Sequence, residues 1–297
     1  MAVTTPSASS RLAGGPGYRR RRAFNRFMEG LSTLAAVVAI AVLLLVIVSV
    51  LIKGIPAINL DFLIHNPAAF GQTGGGIADA IVGSAILIGI ASAIAVPIAI
   101  LVAIYTTEFA PPSVSAGIRF ALDILNGVPT IITGIFIYGL LVLGHQQSGW
   151  AAALALAIVE LPIVARSAQE VLLLVPRSLH EAGLALGLRR WRIVLRVILP
   201  TARGGLVTGA VLGVARVAGE TAPLLFTSSI FSDIGLTTDP SKSMPNIPVN
   251  ILKLSESPSP QDHARAWAAA LVLIAFVLVV SITARSFNER SRRKLGG

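Results

Sequence analysis

The chain has 297 residues, of which 54% are hydrophobic and 13% are charged, and its formal net charge is +10. Soluble domains carry roughly twice that share of charged residues, so the composition excludes an ordinary soluble protein. The absence of cysteine excludes disulfide bonds and thiolate metal sites. Basic proteins often bind nucleic acid, but the arginines here flank apolar segments. We therefore interpret the charge as a determinant of membrane topology and expect no nucleic-acid partner.

Six apolar segments are long enough, or nearly long enough, to cross a hydrocarbon core of ~30 Å at about 1.5 Å per residue. In chain order they are residues 31–52, 77–105, 121–143, 150–165, 204–226 and 266–284. The third contains Pro129, which is predicted to interrupt its backbone hydrogen bonds. The fourth is short and contains Glu160 and Pro162, which predicts a kinked or protein-lined end. The pattern predicts an all-α integral membrane protein with six transmembrane helices.

The distribution of basic residues predicts that both termini are cytoplasmic. In that orientation 19 of the 24 lysines and arginines lie inside and four lie outside, while Arg216 falls within a span. Residues 1–30 are predicted to form a disordered basic cytoplasmic tail, and residues 286–297 a second basic tail. The first apolar block is too long for a signal-peptide core and is expected to remain as a membrane anchor. The outer connection 227–265 is rich in proline, with a short amphipathic segment near 249–254 that could lie in the membrane interface.

Motifs for independent chemistry are absent from the sequence. No lysine follows a glycine, so no phosphate-binding loop can form, and no H-E-x-x-H or G-x-S-x-G pattern occurs. The four histidines are isolated, and His180 is interpreted as a solvated loop residue. We expect no catalytic residue, no metal site and no cofactor in this chain, so any energy must come from a partner.

The most basic interior loop, residues 177–200, contains a compact motif. Ser178 precedes Glu181 by three residues, which is the spacing of a capping box and predicts a short helix that Gly187 ends or bends. The loop resembles the EAA loop of ABC-transporter permeases, E-A-A-x3-G-x9-I-x-L-P, with Gly183 in place of the second alanine and Val197 in place of the isoleucine. The resemblance implies that the short helix docks into an ATPase subunit through coupling residues Glu181, Ala182, Gly183, Gly187, Leu199 and Pro200. The alternative is an ordinary cytoplasmic loop with topology-setting arginines.

Arg216 is predicted to lie within the membrane. It follows the start of the fifth segment by twelve residues, about 18 Å along a helix. An arginine at that depth costs ~2.5 kcal/mol or more unless it faces a cavity or a partner. Glu220 follows at i+4 and can pair with it, which leaves two alternatives: the pair fixes helix packing, or the guanidinium receives an oxyanion. The four-residue spacing of Gly205, Gly209 and Gly213 predicts close approach of another helix.

The string from Arg216 to Thr227, R-V-A-G-E-T-A-P-L-L-F-T, resembles the signature of the PstA permeases, a family of membrane subunits of the high-affinity phosphate importer. The likeness extends over residues 77–285 and implies the type-I ABC importer permease (MetI-like) fold. It also implies that Arg216, Glu220 and Arg166 lie along the phosphate pathway. For Arg166 the alternative is an arginine that extends from a helix end toward water. Asp79 and Asp123 are weaker candidates, as gate or helix-capping residues, and Glu160 is a weak candidate partner of Arg166.

The resemblance also implies a set of partners in a bacterial inner membrane. They are a homologous permease (PstC-like), a dimer of ATPase subunits (PstB-like) that binds ATP and Mg²⁺, an external phosphate-binding protein (PstS-like), inorganic phosphate and the lipid membrane. The chain itself would be a transport subunit and not an enzyme. Two alternatives stay open, namely a permease for sulfate, molybdate or phosphonate, and a membrane sensor or scaffold.

Overall fold

A computed structural model describes residues 16–67, 74–228 and 235–293 of the chain. The described part contains twelve α-helices: α1 Pro16–Gly54, α2 Leu60–Ile64, α3 Ala78–Ile104, α4 Pro112–Gly127, α5 Thr130–Ile137, α6 Gly149–Leu173, α7 Arg177–Ala185, α8 Arg190–Ile193, α9 Leu199–Ala218, α10 Ala222–Thr227, α11 Ile247–Glu256 and α12 Pro260–Arg293. A 3₁₀ turn lies at Ile55–Ala57, and π-helical turns lie at Tyr105–Phe109, Tyr138–Val142 and Val194–Ile198. The predicted all-α architecture is confirmed.

Several helical segments of the described chain are long and apolar enough to cross a membrane. Five qualify alone: Arg20–Ala57, Ala78–Phe109, Gly149–Leu173, Arg190–Ala218 and Pro260–Thr283. A sixth span is obtained when Pro112–Gly127 and Thr130–Val142, which meet at 94°, are taken as one broken span. The number of spans therefore agrees with the six expected from the sequence.

The chain divides into two compact units, Met1–Ile52 and Lys53–Gly297. In the first, α1 begins at Pro16, so the expectation of a disordered tail over residues 1–30 is wrong for residues 16–30, while residues 1–15 lie outside the described part. Residues 18–29 contain no proline or glycine that would end a helix. The apolar helix is therefore extended toward its N-terminus, because each added residue contributes one backbone hydrogen bond. At 39 residues α1 is about 58 Å long, which extends its basic first turns beyond a hydrocarbon core.

In the second unit, α6 is the central helix and packs against α3, α4, α5, α9 and α10. Seven of its alanines are buried: Ala151, Ala152, Ala153, Ala155, Ala157, Ala165 and Ala168. Small side chains allow helices to approach closely where lipid offers no hydrophobic drive for association. At 25 residues α6 is longer than the predicted segment 150–165, because its polar second half finds partners within the protein.

The glycines of α9 form the contact with α6. The two helices are antiparallel, so later glycines of α9 face earlier residues of α6. Gly205 faces Val171, Gly209 faces Ser167 and Gly213 faces Val164. A Cβ atom at Gly205 would lie 2.5 Å from Val171 Cγ1, so only glycine fits. The predicted close helix approach is confirmed. Continued by one turn, this register brings Arg216 close to the level of Glu160, near the middle of α6.

The third predicted span, residues 121–143, is broken into α4 and α5. Val128 and Pro129 between them have extended backbones, with ψ angles of 128° and 129°. A residue that precedes proline avoids the helical region, and Pro129 has no N–H to donate to the helix. The predicted interruption is confirmed, although the segment begins at Pro112 and turns through 94° at the break.

The fifth predicted span, residues 204–226, needs correction at both ends. The helical segment runs over Arg190–Ala218, and α10 follows after a break at residues 219–221. Pro200 lies within this helical segment, two residues after the end of the π-helical turn Val194–Ile198. Proline has no N–H to donate, and the π-helical turn before Pro200 lets the helix continue without that hydrogen bond.

A helix is also present where an amphipathic segment was predicted at residues 249–254. It is α11, and its first residues Ile247, Pro248 and Val249 are buried. The helix packs against α12 and α3, and Ser84 Oγ of α3 accepts a 2.9 Å hydrogen bond from the Ile247 N–H. The segment is thus fixed to the helix bundle by its N-terminal end.

The glycine contact yields a stability prediction. Gly205→Val places a branched side chain against Val171 and is expected to destabilise the isolated chain in detergent by about 1–3 kcal/mol, the usual cost of overpacking. Thermal unfolding of the purified chain measures the effect. Gly89→Val is the matched control, because nothing lies within 4 Å of a Cβ at Gly89 of α3. Equal melting temperatures for the two variants would contradict the proposed packing role.

Candidate functional site

A cavity of about 410 Å³ lies beside the break between α4 and α5. Its wall is formed by that break together with residues of α6, α9 and α10: Leu125, Asn126, Val128, Pro129, Thr130, Ile131, Thr133, Ile158, Val159, Ile163, Arg216 and Ala222. The volume lies within the range of small-molecule sites, roughly 300–1,000 Å³. Of the described residues that form this wall, Arg216 alone is charged, so the cavity has the chemistry of an anion site.

Arg216 is positioned in the last turn of α9 and its side chain is 60% exposed. Its Nη1 lies 3.2 Å from Oε1 of Glu220, whose side chain is only 9% exposed, so the predicted ion pair is present. Among the described residues, no aligned donor forms a hydrogen bond with Glu220 Oε1. The contact is therefore chiefly electrostatic, and it leaves guanidinium N–H groups free to bind another oxygen.

Glu220 lies just beyond the end of α9. Gly219 ends the helix, and the Glu220 N–H still donates to the Val217 carbonyl at 3.1 Å. Thr221 then accepts from the N–H groups of Leu224 and Leu225 through its carbonyl, which begins α10. The break at Val128 and Pro129 thus lines the cavity directly, and Arg216 and Ala222 line it on either side of this second irregular segment.

Arg166 does not line this cavity. It lies on α6, almost one turn beyond the cavity residue Ile163, and its Nη2 forms a salt bridge with Asp123 of α4. Its Nη1 is 3.4 Å from Oε1 of Gln169. Asp123 was predicted only as a gate or helix-capping residue, and its role as the partner of Arg166 was missed, because the two residues are 43 positions apart in sequence.

Glu160 was considered as a partner of Arg166, and that pairing is wrong. Its carboxylate is fully buried, and both oxygens lie 3.0 Å from Ser92 Oγ of α3. The six-residue offset on α6 directs the Glu160 and Arg166 side chains toward different neighbours. Asp79, in the first turn of α3, is also buried and accepts a 2.8 Å hydrogen bond from the Ala80 N–H.

The second group of candidate residues lies on and after α7. The predicted short helix is present, but it begins at Arg177, and Pro176 is its N-cap without a side-chain hydrogen bond. Ser178 therefore lies inside the helix and the capping-box prediction is wrong. The physical reason is that the Pro176 carbonyl already accepts from the Leu179 N–H at 3.1 Å, which starts the helix two residues earlier.

Gly187 ends the α7 segment, as predicted. Its φ angle of +73° lies in the left-handed region that favours glycine. The Gly187 N–H donates to the Leu184 carbonyl and the Leu188 N–H donates to the Gly183 carbonyl, at 2.9 and 3.1 Å. Nothing lies within 4 Å of a Cβ at Gly187, so the backbone conformation, and not space, requires glycine there.

Gly183 departs from the family pattern, and its packing explains the departure. A Cβ at Gly183 would lie 2.8 Å from Ile193 Cγ1, so Ile193 occupies the space that an alanine methyl group would take. This contact holds α7 against α8. On its outer side the α7 segment exposes apolar surface at Leu184 (52%) and Leu186 (80%), beside the exposed Glu181 and Ala182. Exposed apolar surface of this kind is typical of protein-binding sites.

A side-chain contact fixes α7 to the end of α3. His180 Nε2 lies 2.8 Å from Glu108 Oε2, and the two side chains are 31% and 11% exposed. The interpretation of His180 as a solvated loop residue is therefore wrong. The sequence gives no local signal for this pair, because its members are 72 positions apart.

Comparison with known proteins identifies the family. Residues 95–293 match the family described as binding-protein-dependent transport system inner membrane component. The phosphate transport system permease protein PstA of Haemophilus influenzae is 37% identical over 274 residues, which cover 92% of this chain and 96% of that protein. The corresponding protein of Yersinia pestis is 39% identical over 89% of this chain and 90% of its own length. PstA 1 of Mycobacterium tuberculosis is 37% identical over 75% and 74% of the two chains.

Solved structures support the same fold. A chain of the inward-facing MetNI methionine ABC transporter superposes with a TM-score of 0.59 at 17% identity, covering 72% of this chain and 95% of that chain. A chain of a bacterial alginate ABC transporter in complex with its periplasmic protein gives 0.63 at 13% identity, covering 91% and 96%. The predicted MetI-like permease fold is confirmed. The chain belongs to the PstA permeases of the binding-protein-dependent transport family.

Proposed function

We propose that this chain is the membrane permease subunit of an ATP-driven phosphate importer. The observation that carries the proposal is Arg216, whose guanidinium is exposed to a cavity near the middle of α6 and is not aligned with its neighbouring carboxylate. A planar fork of N–H donors in a low-dielectric cavity suits the oxygens of an oxyanion. The sequence likeness to phosphate permeases selects phosphate among the oxyanions.

Glu220 tunes this anion site. Its carboxylate lies 3.2 Å from Arg216 and offsets part of the positive charge that an incoming anion would meet. A transport site must bind its ion well enough to admit it and weakly enough to release it. The two alternatives drawn from the sequence, a structural ion pair and an oxyanion site, are therefore compatible. The pair lowers the cost of a charge in the membrane, and the guanidinium keeps N–H donors for phosphate.

Arg166 provides a second cationic group nearer to α7. It is already paired with Asp123, so phosphate that leaves Arg216 would compete with that carboxylate for the Arg166 guanidinium. The side chain of Arg166 is 37% exposed, which leaves it accessible to an anion. We place Arg216, Glu220 and Arg166 along one pathway, with Arg216 as the first contact.

The loop of residues 177–200 couples the chain to an ATPase. Glu181, Ala182 and the exposed Leu184 and Leu186 form the docking surface, and Gly183 and Gly187 set its shape. Leu199 and Pro200 are the first two residues of α9, at the end of this loop. ATP and Mg²⁺ would be bound by the ATPase dimer, and this chain performs no catalysis. A homologous permease would complete the pathway, and an external binding protein would deliver phosphate.

The termini lie in the cytoplasm of a bacterium in this proposal. Nineteen lysines and arginines then face inward and four face outward, which is the asymmetry that orients inner-membrane proteins. The α7 segment lies on the same side as the termini, because two spans separate it from the C-terminal tail. This orientation would present α7 to the cytoplasmic ATPase.

Arg216→Gln is expected to reduce ATP-driven phosphate uptake at least about tenfold, because it removes charge-assisted hydrogen bonds worth ~1.5–3 kcal/mol. Arg216→Lys is the matched variant, since it keeps the charge but loses the fork, and we expect intermediate uptake. Proteoliposomes that contain the chain, its partner permease, the ATPase and the binding protein measure this, with sulfate as competitor. Full uptake in Arg216→Gln would make the ion pair structural. Competition by sulfate at equal concentration would reassign the substrate.

Gly187→Val is expected to lower ATPase binding and uptake together, because a β-branched residue is strained at a φ angle of +73°. Gly187→Asn is the matched control, since asparagine tolerates the left-handed region. Co-purification of the ATPase with the permease measures binding. Because a side chain at Gly187 meets open space, a difference between the two variants reports the backbone of the coupling segment alone. Normal binding and uptake in Gly187→Val would refute the coupling assignment.

A further inference from the structure

A chain of side-chain contacts connects α7 with Arg166, and no sequence motif announces it. The first contact is the 2.8 Å hydrogen bond between His180 Nε2 and Glu108 Oε2. His180 Nδ1 is buried without a hydrogen-bond partner among the described residues, so the ring is held through Nε2. The contact therefore fixes the orientation of α7 relative to the end of α3.

Glu108 lies in the π-helical turn Tyr105–Phe109, which also contains Thr106. Thr106 is buried, and its Oγ1 accepts a 2.8 Å hydrogen bond from Gln169 Nε2 of α6. The same hydroxyl lies 2.8 Å from the Val102 carbonyl oxygen, which accepts its proton. The π-helical turn thus binds α7 through Glu108 and α6 through Thr106.

Gln169 completes the connection to the arginine. Its side chain is buried, Nε2 donates to Thr106, and Oε1 lies 3.4 Å from Arg166 Nη1. Arg166 in turn binds Asp123, which is three residues before the cavity residue Asn126 on α4. Movement of the π-helical turn would therefore change the position of Arg166 at the level next to the cavity.

Burial makes these contacts effective as a mechanical connection. Gln169 and Thr106 are 2% and 3% exposed, so water cannot readily replace either partner. Breaking their hydrogen bond would leave the buried Gln169 amide N–H without an acceptor, although the Thr106 hydroxyl would still donate to the Val102 carbonyl. Energetic coupling between distant sites is carried by such packed and hydrogen-bonded elements. The direct chain connection from α6 to α7, residues 174–176, adds an apolar contact through buried Val175, which packs in a cluster with Leu172 and Ile193 but forms no directional side-chain bond.

We propose that His180, Glu108, Thr106 and Gln169 form a relay that transmits the movement of α7 to Arg166 during transport. In this relay Glu108 and Gln169 are positioning residues, because Glu108 acts through His180 and Gln169 acts through Arg166. The inference rests on the proposed function, since it presupposes an ATPase that moves α7. It adds the route by which the movement reaches the anion pathway.

The test compares Glu108→Leu and Gln169→Leu with the conservative variant Glu108→Gln, whose amide oxygen still accepts from His180. The readout is the ratio of phosphate imported to ATP hydrolysed in proteoliposomes that contain all partners. Both leucine variants are expected to lose about fivefold or more of this ratio, as loss of allosteric coupling predicts. They retain ATPase binding and basal hydrolysis, and Glu108→Gln retains most of the ratio. Glu170→Leu, an exposed neighbour of Gln169 on α6, is the matched control.

A double variant that combines Glu108→Leu with Gln169→Leu distinguishes a relay from two independent structural roles. Consecutive members of one route give a double variant no worse than the poorer single variant, whereas independent roles give multiplied losses. Multiplied losses would overturn the proposal, as would a wild-type ratio in both leucine variants. Wild-type vesicles that import no phosphate at all would instead refute the proposed function.

A cross-link provides a second measurement that does not depend on the leucine variants folding. The chain has no cysteine, so Glu108→Cys and His180→Cys introduce a unique pair of thiols. A short thiol cross-linker applied to the double-cysteine chain restores a fixed connection between α7 and the π-helical turn. The relay predicts that the cross-linked protein regains uptake per ATP relative to the untreated protein. Inhibition by the cross-linker would show that α7 must separate from α3, which would overturn the proposal.

Discussion

The close contact between α6 and α9 is the constraint on which the rest of the structure depends. Lipid offers no hydrophobic drive for helix association, so packing and polar contacts must hold the bundle. The glycines of α9 allow that packing, and they also set the register that brings Arg216 near the middle of α6. The same register puts Gly213 beside Glu160, which is then enclosed and bound to Ser92 of α3. One packing surface thus determines both where a charge is exposed and where another is buried.

Irregular backbone is concentrated where the protein needs polar surface in the membrane. The break at Val128 and Pro129 lines the cavity of Arg216, and the connection from Gly219 to Thr221 lies between two residues of the cavity wall, Arg216 and Ala222. Non-helical backbone is tolerated at membrane depth only when it is buried in protein or lines a cavity. The cavity and the surrounding protein therefore provide the polar or buried environment that the backbone at the two breaks needs. Close packing of Gly134 against the backbone of Pro223 holds α5 and α10 together beside these breaks.

Local signals in the sequence predicted much of this fold and part of the site. Apolar length predicted the spans, proline predicted the break in the third, and the i+4 spacing predicted the pair of Arg216 and Glu220. The contacts that the sequence missed join residues far apart: Glu160 with Ser92, Arg166 with Asp123 and His180 with Glu108 are separated by 68, 43 and 72 positions. Such pairs depend on how helices face one another, which no local periodicity encodes. The capping-box prediction at Ser178 failed for a local reason. The Pro176 carbonyl accepts from the Leu179 N–H, so the helix begins before Ser178 and leaves it no N-cap position.

The two arginines differ in what an anion must displace. Arg216 is paired with a carboxylate from its own chain segment, through a contact that lacks hydrogen-bond alignment. An anion can therefore bind it without separating any helices. Arg166 is paired with Asp123 of a different helix and is supported by buried Gln169. An anion that takes Arg166 must weaken a contact between α6 and α4, so its passage is linked to helix movement. In the proposed phosphate pathway, this difference would make the contact with Arg216 independent of ATP and the contact with Arg166 dependent on the position of α7.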